Sequence, residues 1–171
     1  MNSSAIVPLP NRTQKAVGEA FLKFHLGAKI PAIFAMQHVQ EVLTLPLLRL
    51  TPMPNMPACM LGLMNYRSRV LWVIDLAGLL ALNHLDTAAQ QYSLIIICVG
   101  QLRLGLAVEQ IDGMVWFERD RIQSPLGQTT TGLVPYLQGC IWQEQGILLV
   151  LDAAAVSQAS LLRNPEALTP L

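Results

Sequence analysis

Pro57-Ala-Cys-Met-Leu-Gly62-Leu-Met-Asn65-Tyr-Arg67-Ser-Arg-Val-Leu-Trp-Val-Ile-Asp75-Leu76 decides the fold of this chain. It reads as a short helical turn opened by Pro57 and ending near Gly62, then a strand over 63–66. A tight polar turn at Arg67-Ser68-Arg69 leads to a second strand over 70–74. Asp75 then opens a helix over 76–82, because a side-chain carboxylate accepts the backbone N–H groups left free in a first helical turn. The plan returns at Gly139-Cys-Ile-Trp-Gln-Glu-Gln-Gly-Ile-Leu-Leu-Val-Leu-Asp152 with the same glycine-to-aspartate spacing, and Val73 aligns with Val150. Two similar halves, packed together, are expected to leave a cleft suited to a partner.

Working outward, strands are expected over 20–26 and 30–36, joined by a turn at Gly27-Ala28-Lys29, and over 39–43. Prolines 46, 52, 54 and 57 make the next segment an extended connection. A polar linker over 83–90 precedes strands over 92–99 and 102–107, which turn at Gly100-Gln101. Val108-Glu-Gln-Ile111 echoes Val39-Gln-Glu-Val42, and the strand continues through 113–117. A loop over 118–132 leads to strands over 133–142 and 147–151. Asp152 caps a last helix to about Leu162. Many short strands and only short helices describe an all-β protein of barrel type, two small barrels side by side. Residues 1–16 read as a flexible N-terminal tail, 17–162 as the domain, with lobes at 17–82 and 91–162, and 163–171 as a C-terminal tail.

Composition excludes several functions. The 171 residues are enough for a sizeable core, and 53% are hydrophobic against 13% charged. Eleven Lys+Arg balance eleven Asp+Glu. Nucleic-acid binding draws on clustered cations, so no nucleic-acid partner is expected. No apolar run reaches the ~20 residues that span a bilayer, and no membrane insertion is expected. Cys59, Cys98 and Cys140 lie among apolar neighbours and read as buried thiols of a reducing cytoplasm.

Catalytic chemistry finds no foothold. His25, His38 and His84 stand near no nucleophile elbow, the cysteines lack zinc spacing, and no glycine-rich loop precedes a helix. Asp75 and Asp152 fit two helix caps at equivalent places better than paired catalytic carboxylates. Trp72, Trp116 and Trp142 fit core or rim packing, since no basic stripe flanks them for base stacking. Glu41 within an apolar run and Arg67 on a stiff turn stand out. A guanidinium held there offers a planar fork of donors to a carboxylate or carbonyl of another protein.

The run Val39-x-Glu41-Val42, the proline-rich connection, and Pro57-x-x-x-x-Gly62-x-x-Asn65-x-Arg67-x-x-x-x-x-Val73-x-Asp75-Leu76 resemble the CheW domain. The Gly100 turn, Gly139 and Val150-Leu-Asp152 fit as well, so the resemblance spans about residues 18–160. It implies two interlocked five-stranded, SH3-like barrels with short helices and a C-terminal helix. The implied role is a cytoplasmic adaptor without enzymatic activity or cofactor, recruited to membrane-receptor arrays. Its partners would be a chemoreceptor tip and the regulatory domain of a CheA-type histidine kinase. The family's receptor-contacting positions fall on Val39 and Arg67, its kinase-contacting positions on Glu41, Val42 and Gly62, and Asn65 shapes the hairpin. The family usually has glycine at Ser68 and proline at Trp72. Both departures sit at the expected partner surface and point to a divergent receptor or kinase, as in pilus or phototaxis systems. A decoy or scaffold without kinase coupling keeps the same fold, and a small β-barrel carrier or enzyme is a third reading.

Overall fold

The computed structural model describes residues 17–86, 88–125, 127 and 132–159. The expected tails at 1–16 and 163–171, most of the threonine-rich loop segment, and the end of the last helix lie outside the described residues. Ten strands form: β1 (Glu19–Leu26), β2 (Ile30–Ala35), β3 (Val39–Pro46), β4 (Met60–Tyr66), β5 (Arg69–Asp75), β6 (Gln91–Val99), β7 (Leu102–Val108), β8 (Gln110–Phe117), β9 (Leu137–Gln143) and β10 (Gly146–Leu151). Two short helices, α1 (Leu76–Leu79) and α2 (Ala153–Ser157), follow β5 and β10.

The strands build two five-stranded sheets, ordered β8-β1-β2-β10-β9 and β3-β6-β7-β5-β4. The sequence halves are therefore not the sheets. Each sheet takes two strands from one half and three from the other, and the parallel pairs β2–β10 and β5–β7 lock the halves together. This exchange is what makes the lobes interlock.

The apolar run Leu94-Ile95-Ile96-Ile97 follows from its central place in the second sheet. Ile95 and Ile97 face a core shared with Leu22, Phe24 and Phe34 of the first sheet, while Leu94 and Ile96 face a core within their own sheet. A strand buried on both faces needs no polar alternation. Each such side chain contributes roughly 2 kcal/mol of burial. A third core, around Phe21, Ile33 and Val150, fills the first sheet.

The repeat is visible in the registers. Gly62 lies opposite Val73 and Gly139 opposite Val150, each beside a bulge. A Cβ on Gly62 would stand 2.3 Å from the Thr51 carbonyl oxygen, and one on Gly139 2.6 Å from that of Gln123. Each glycine thus lets a preceding segment bridge onto the strand, Thr51 to Leu63 and Gln123 to Cys140. The expected helical turn into Gly62 is instead a single turn in which the Met60 N–H reaches the Pro57 carbonyl, after which the chain is already strand.

Three further expectations shift. Val39 pairs with Ile97 and Ile111 with Phe24, each at a bulge, so Ile111 is the counterpart of Val39 and the Val108–Ile111 echo is out of register. The strand expected from 133 starts at Leu137, because Val134–Tyr136 with its proline forms a 3-10 turn. Cys59 and Cys140 are buried, but Cys98 is only half-buried.

Asp75 is buried and accepts from the Gly78 and Leu85 N–H groups at 3.1 and 3.0 Å, with His84 Nδ1 at 3.2 Å. It starts α1 and also anchors the linker after it, where Leu85 is buried rather than solvated. Asp152 accepts from the Ala154 and Ala155 N–H groups at the start of α2.

Candidate functional site

The β4–β5 turn is two residues long, and both have positive φ, Arg67 at 48° and Ser68 at 62°. That is the conformation of a hairpin turn whose twist matches the flanking strands, and it favours Gly or Asn over Ser. The tight turn places Arg67 at the end of β4, an edge of the second sheet. The other edge is β3.

Arg67 Nη2 donates to Glu41 Oε2 on β3 at 2.9 Å, and the Tyr66 hydroxyl donates to the same oxygen. The guanidinium also lies 5.2 Å from the centroid of the Tyr66 ring. Three side chains thus join the two edges of the sheet. The hydrogen bond to Glu41, then burial, pushes the Tyr66 phenol above its ordinary value, with Arg67 pulling the other way. The Arg67 side chain is 68% exposed, so the pair is worth less than about 1 kcal/mol to folding. Its consequence is geometric: a long cation is held in one place at the surface.

Around this pair Gln40 occupies the β3 bulge and accepts from Arg103 Nε of β7 at 3.1 Å. Gln40, Tyr66, Arg67, Arg69 and Arg103 line a depression of about 170 Å³. Val39 is half-buried against the core between the sheets, and Val42, farther along β3, is 41% exposed. Asn65 and Ser68 are exposed beside Arg67.

Two expected partner residues are not surface features. Trp72 is 7% exposed and packs in the shared core, since β5 is an interior strand. Gly62 is buried with φ 144° and shapes the bulge. Tyr66, Gln40, Arg69 and Arg103 escaped the sequence reading. Tyr66 was within reach as the neighbour of Arg67, whereas Arg103 arrives only through the β5–β7 pairing.

The CheW-like domain family model matches residues 20–160. The chain belongs to the CheW-like domain family. Protein PilI of Pseudomonas aeruginosa is 27% identical over 150 residues, covering 88% of this chain and 82% of that one. Chemotaxis protein CheW of Treponema pallidum is 29% identical over 133 residues, covering 75% and 76%. In fold, the chain is similar to the scaffolding protein TtCheW from Thermoanaerobacter tengcongensis, with TM-score 0.71, 18% identity, and 84% and 94% of the two chains covered. As a CheW-like domain it is a non-catalytic adaptor module of the chemotaxis signalling class. Among the described residues no helix is long and apolar enough to cross a membrane.

Proposed function

We propose that this chain couples the cytoplasmic tips of chemoreceptors to a CheA-type histidine kinase in a chemotaxis-like motility pathway. It works on the cytoplasmic side, recruited to receptor arrays, and uses no cofactor. Arg67, with Val39 behind it, contacts the receptor; Val42 and the outer side of Glu41 contact the regulatory domain of the kinase.

The observation that carries this reading is the Arg67–Glu41 pair, which lies between the two proposed contact areas and belongs to both. A partner acceptor engaging Arg67 competes with the Glu41 carboxylate for the guanidinium, so the two docking events meet in one ion pair. A fixed guanidinium beside an exposed valine also suits association. Charge orients the encounter, and apolar burial gives residence time.

The test is a three-component assembly measured by analytical ultracentrifugation, using this chain, the kinase regulatory domain and a soluble receptor-tip fragment from the same organism. One complex containing all three supports the adaptor. Two mutually exclusive binary complexes would leave a decoy that occupies receptor without kinase.

A further inference from the structure

Beside the Arg67 depression runs a second groove of about 190 Å³, lined by Arg69, Val70, Trp72, Gln101, Leu102 and Arg103. Arg69 and Arg103 line both, so the two are continuous. The groove lies between the β4–β5 turn and the β6–β7 turn. Its apolar wall is displayed, with Val70 46% and Leu102 36% exposed.

Its polar groups are under-used. Among the described residues neither Arg69 nor Arg103 forms an ion pair, while Arg67 has Glu41. Arg103 donates to the neutral Gln40 amide oxygen. The Trp72 indole Nε1–H is buried and has no acceptor there. A buried donor without an acceptor is a standing penalty of the fold. In a chain with zero net charge, two guanidinium groups without a carboxylate partner among the described residues, around one small groove, form a local demand for negative charge.

We infer that this groove is an extension of the receptor-docking surface that takes an acidic segment of the partner protein, seating one apolar side chain against Val70 and Leu102 and presenting carboxylates to Arg69 and Arg103. This rests on the adaptor reading above and adds to it the chemistry of the partner segment. Charge complementarity selects a carboxylate, and the apolar wall selects a protein segment over a free anion or a nucleic-acid backbone. Trp72, 7% exposed, supplies the floor of the groove from beneath the surface.

The experiment titrates a soluble receptor-tip fragment from the same organism into the wild-type chain and into the Arg69→Gln/Arg103→Gln double variant, at two salt concentrations. Arg69 is exposed and Arg103 is half-buried near the start of β7, and both keep a polar side chain in the double variant, whose circular dichroism and melting curve check that it folds. Trp72→Phe, which keeps the aromatic floor and removes the N–H, is a second probe. The double variant is expected to bind on the order of tenfold more weakly and with a flatter salt dependence. Trp72→Phe is expected to bind within about threefold of the wild type, because the covered N–H lies outside the contact. Equal affinity and equal salt dependence for wild type and a folded double variant would overturn this inference and leave the adaptor reading intact. A loss of affinity for the kinase domain instead of the receptor would also overturn it. A folded wild-type chain that does not bind the fragment at all would remove the receptor reading itself, and this inference with it.

Discussion

Arg67 and Glu41 are joined by a 2.9 Å ion pair that ties the tip of the β4–β5 hairpin to the opposite edge strand of the same sheet. The Tyr66 hydroxyl shares the carboxylate oxygen. The contact closes the sheet and fixes two side chains to which the family resemblance assigns different partners.

The pair matters more for recognition than for folding. Arg67→Ala and Glu41→Ala are each expected to lower stability by less than about 1 kcal/mol, as exposed ion pairs do. The same Arg67→Ala protein is expected to bind the receptor-tip fragment at least tenfold more weakly. Urea denaturation and a binding titration on one preparation check both halves. A large stability loss with unchanged receptor affinity would make the pair structural only.

Ser68 holds a φ of 62°, in the left-handed region that favours glycine. A side chain in the left-handed region is strained, and glycine relieves it. Ser68→Gly is expected to stabilise the chain by about 1 kcal/mol. Its effect on receptor affinity is expected to be under threefold, because the turn type stays the same. Thermal melts with parallel titrations read both; destabilisation would show that the turn gains from the serine.

Alkaline pH is expected to weaken the fold. Burial raises the Cys59 thiol above its ordinary value, helped by the nearby Asp75. The Glu41 hydrogen bond raises the Tyr66 phenol and burial raises the Tyr92 phenol, both above 10.0. For each, the folded state holds its proton more tightly than the unfolded chain. The associated stability is fully present below the unfolded value and is lost as pH rises through the folded one. Urea midpoints are therefore expected to be level from pH 7 to 8.5 and to fall above about 9, with Cys59→Ala losing the lower end of that fall. A midpoint that rises between pH 9 and 10.5 contradicts this.

Much of the fold was legible because local signals agree with it. Alternation, turn residues and the glycine-to-aspartate repeat located all ten strands, and Gly62 and Gly139 do occupy equivalent bulges opposite Val73 and Val150. The exchange of strands between the halves was not legible. The β2–β10 and β5–β7 pairings link segments far apart in sequence, and period-two patterning does not say which strand lies beside which. The same limit hid Arg103, which reaches the Arg67 neighbourhood only through those pairings. For Trp72 the residues point to core packing, which the structure bears out, and the resemblance points to the partner surface. Numbering placed it beside a surface turn, while the register puts it opposite Leu63, on an interior strand. Glu41 and Arg67 were singled out separately, and only the closure of the sheet makes them one feature.

The central claim is that this domain docks a histidine kinase through the exposed edge of β3. Calorimetric titration of the kinase regulatory domain into the wild-type chain and into Val42→Asp tests it most directly. Val42 is 41% exposed, so the fold has room for the charge, and a melting curve reads the stability that the strand loses to aspartate. The account predicts one-to-one binding by the wild type, weakened at least tenfold in a Val42→Asp variant whose melting curve shows it folded at the temperature of the titration. Equal affinity for both, or no binding by a folded wild-type chain, would contradict it.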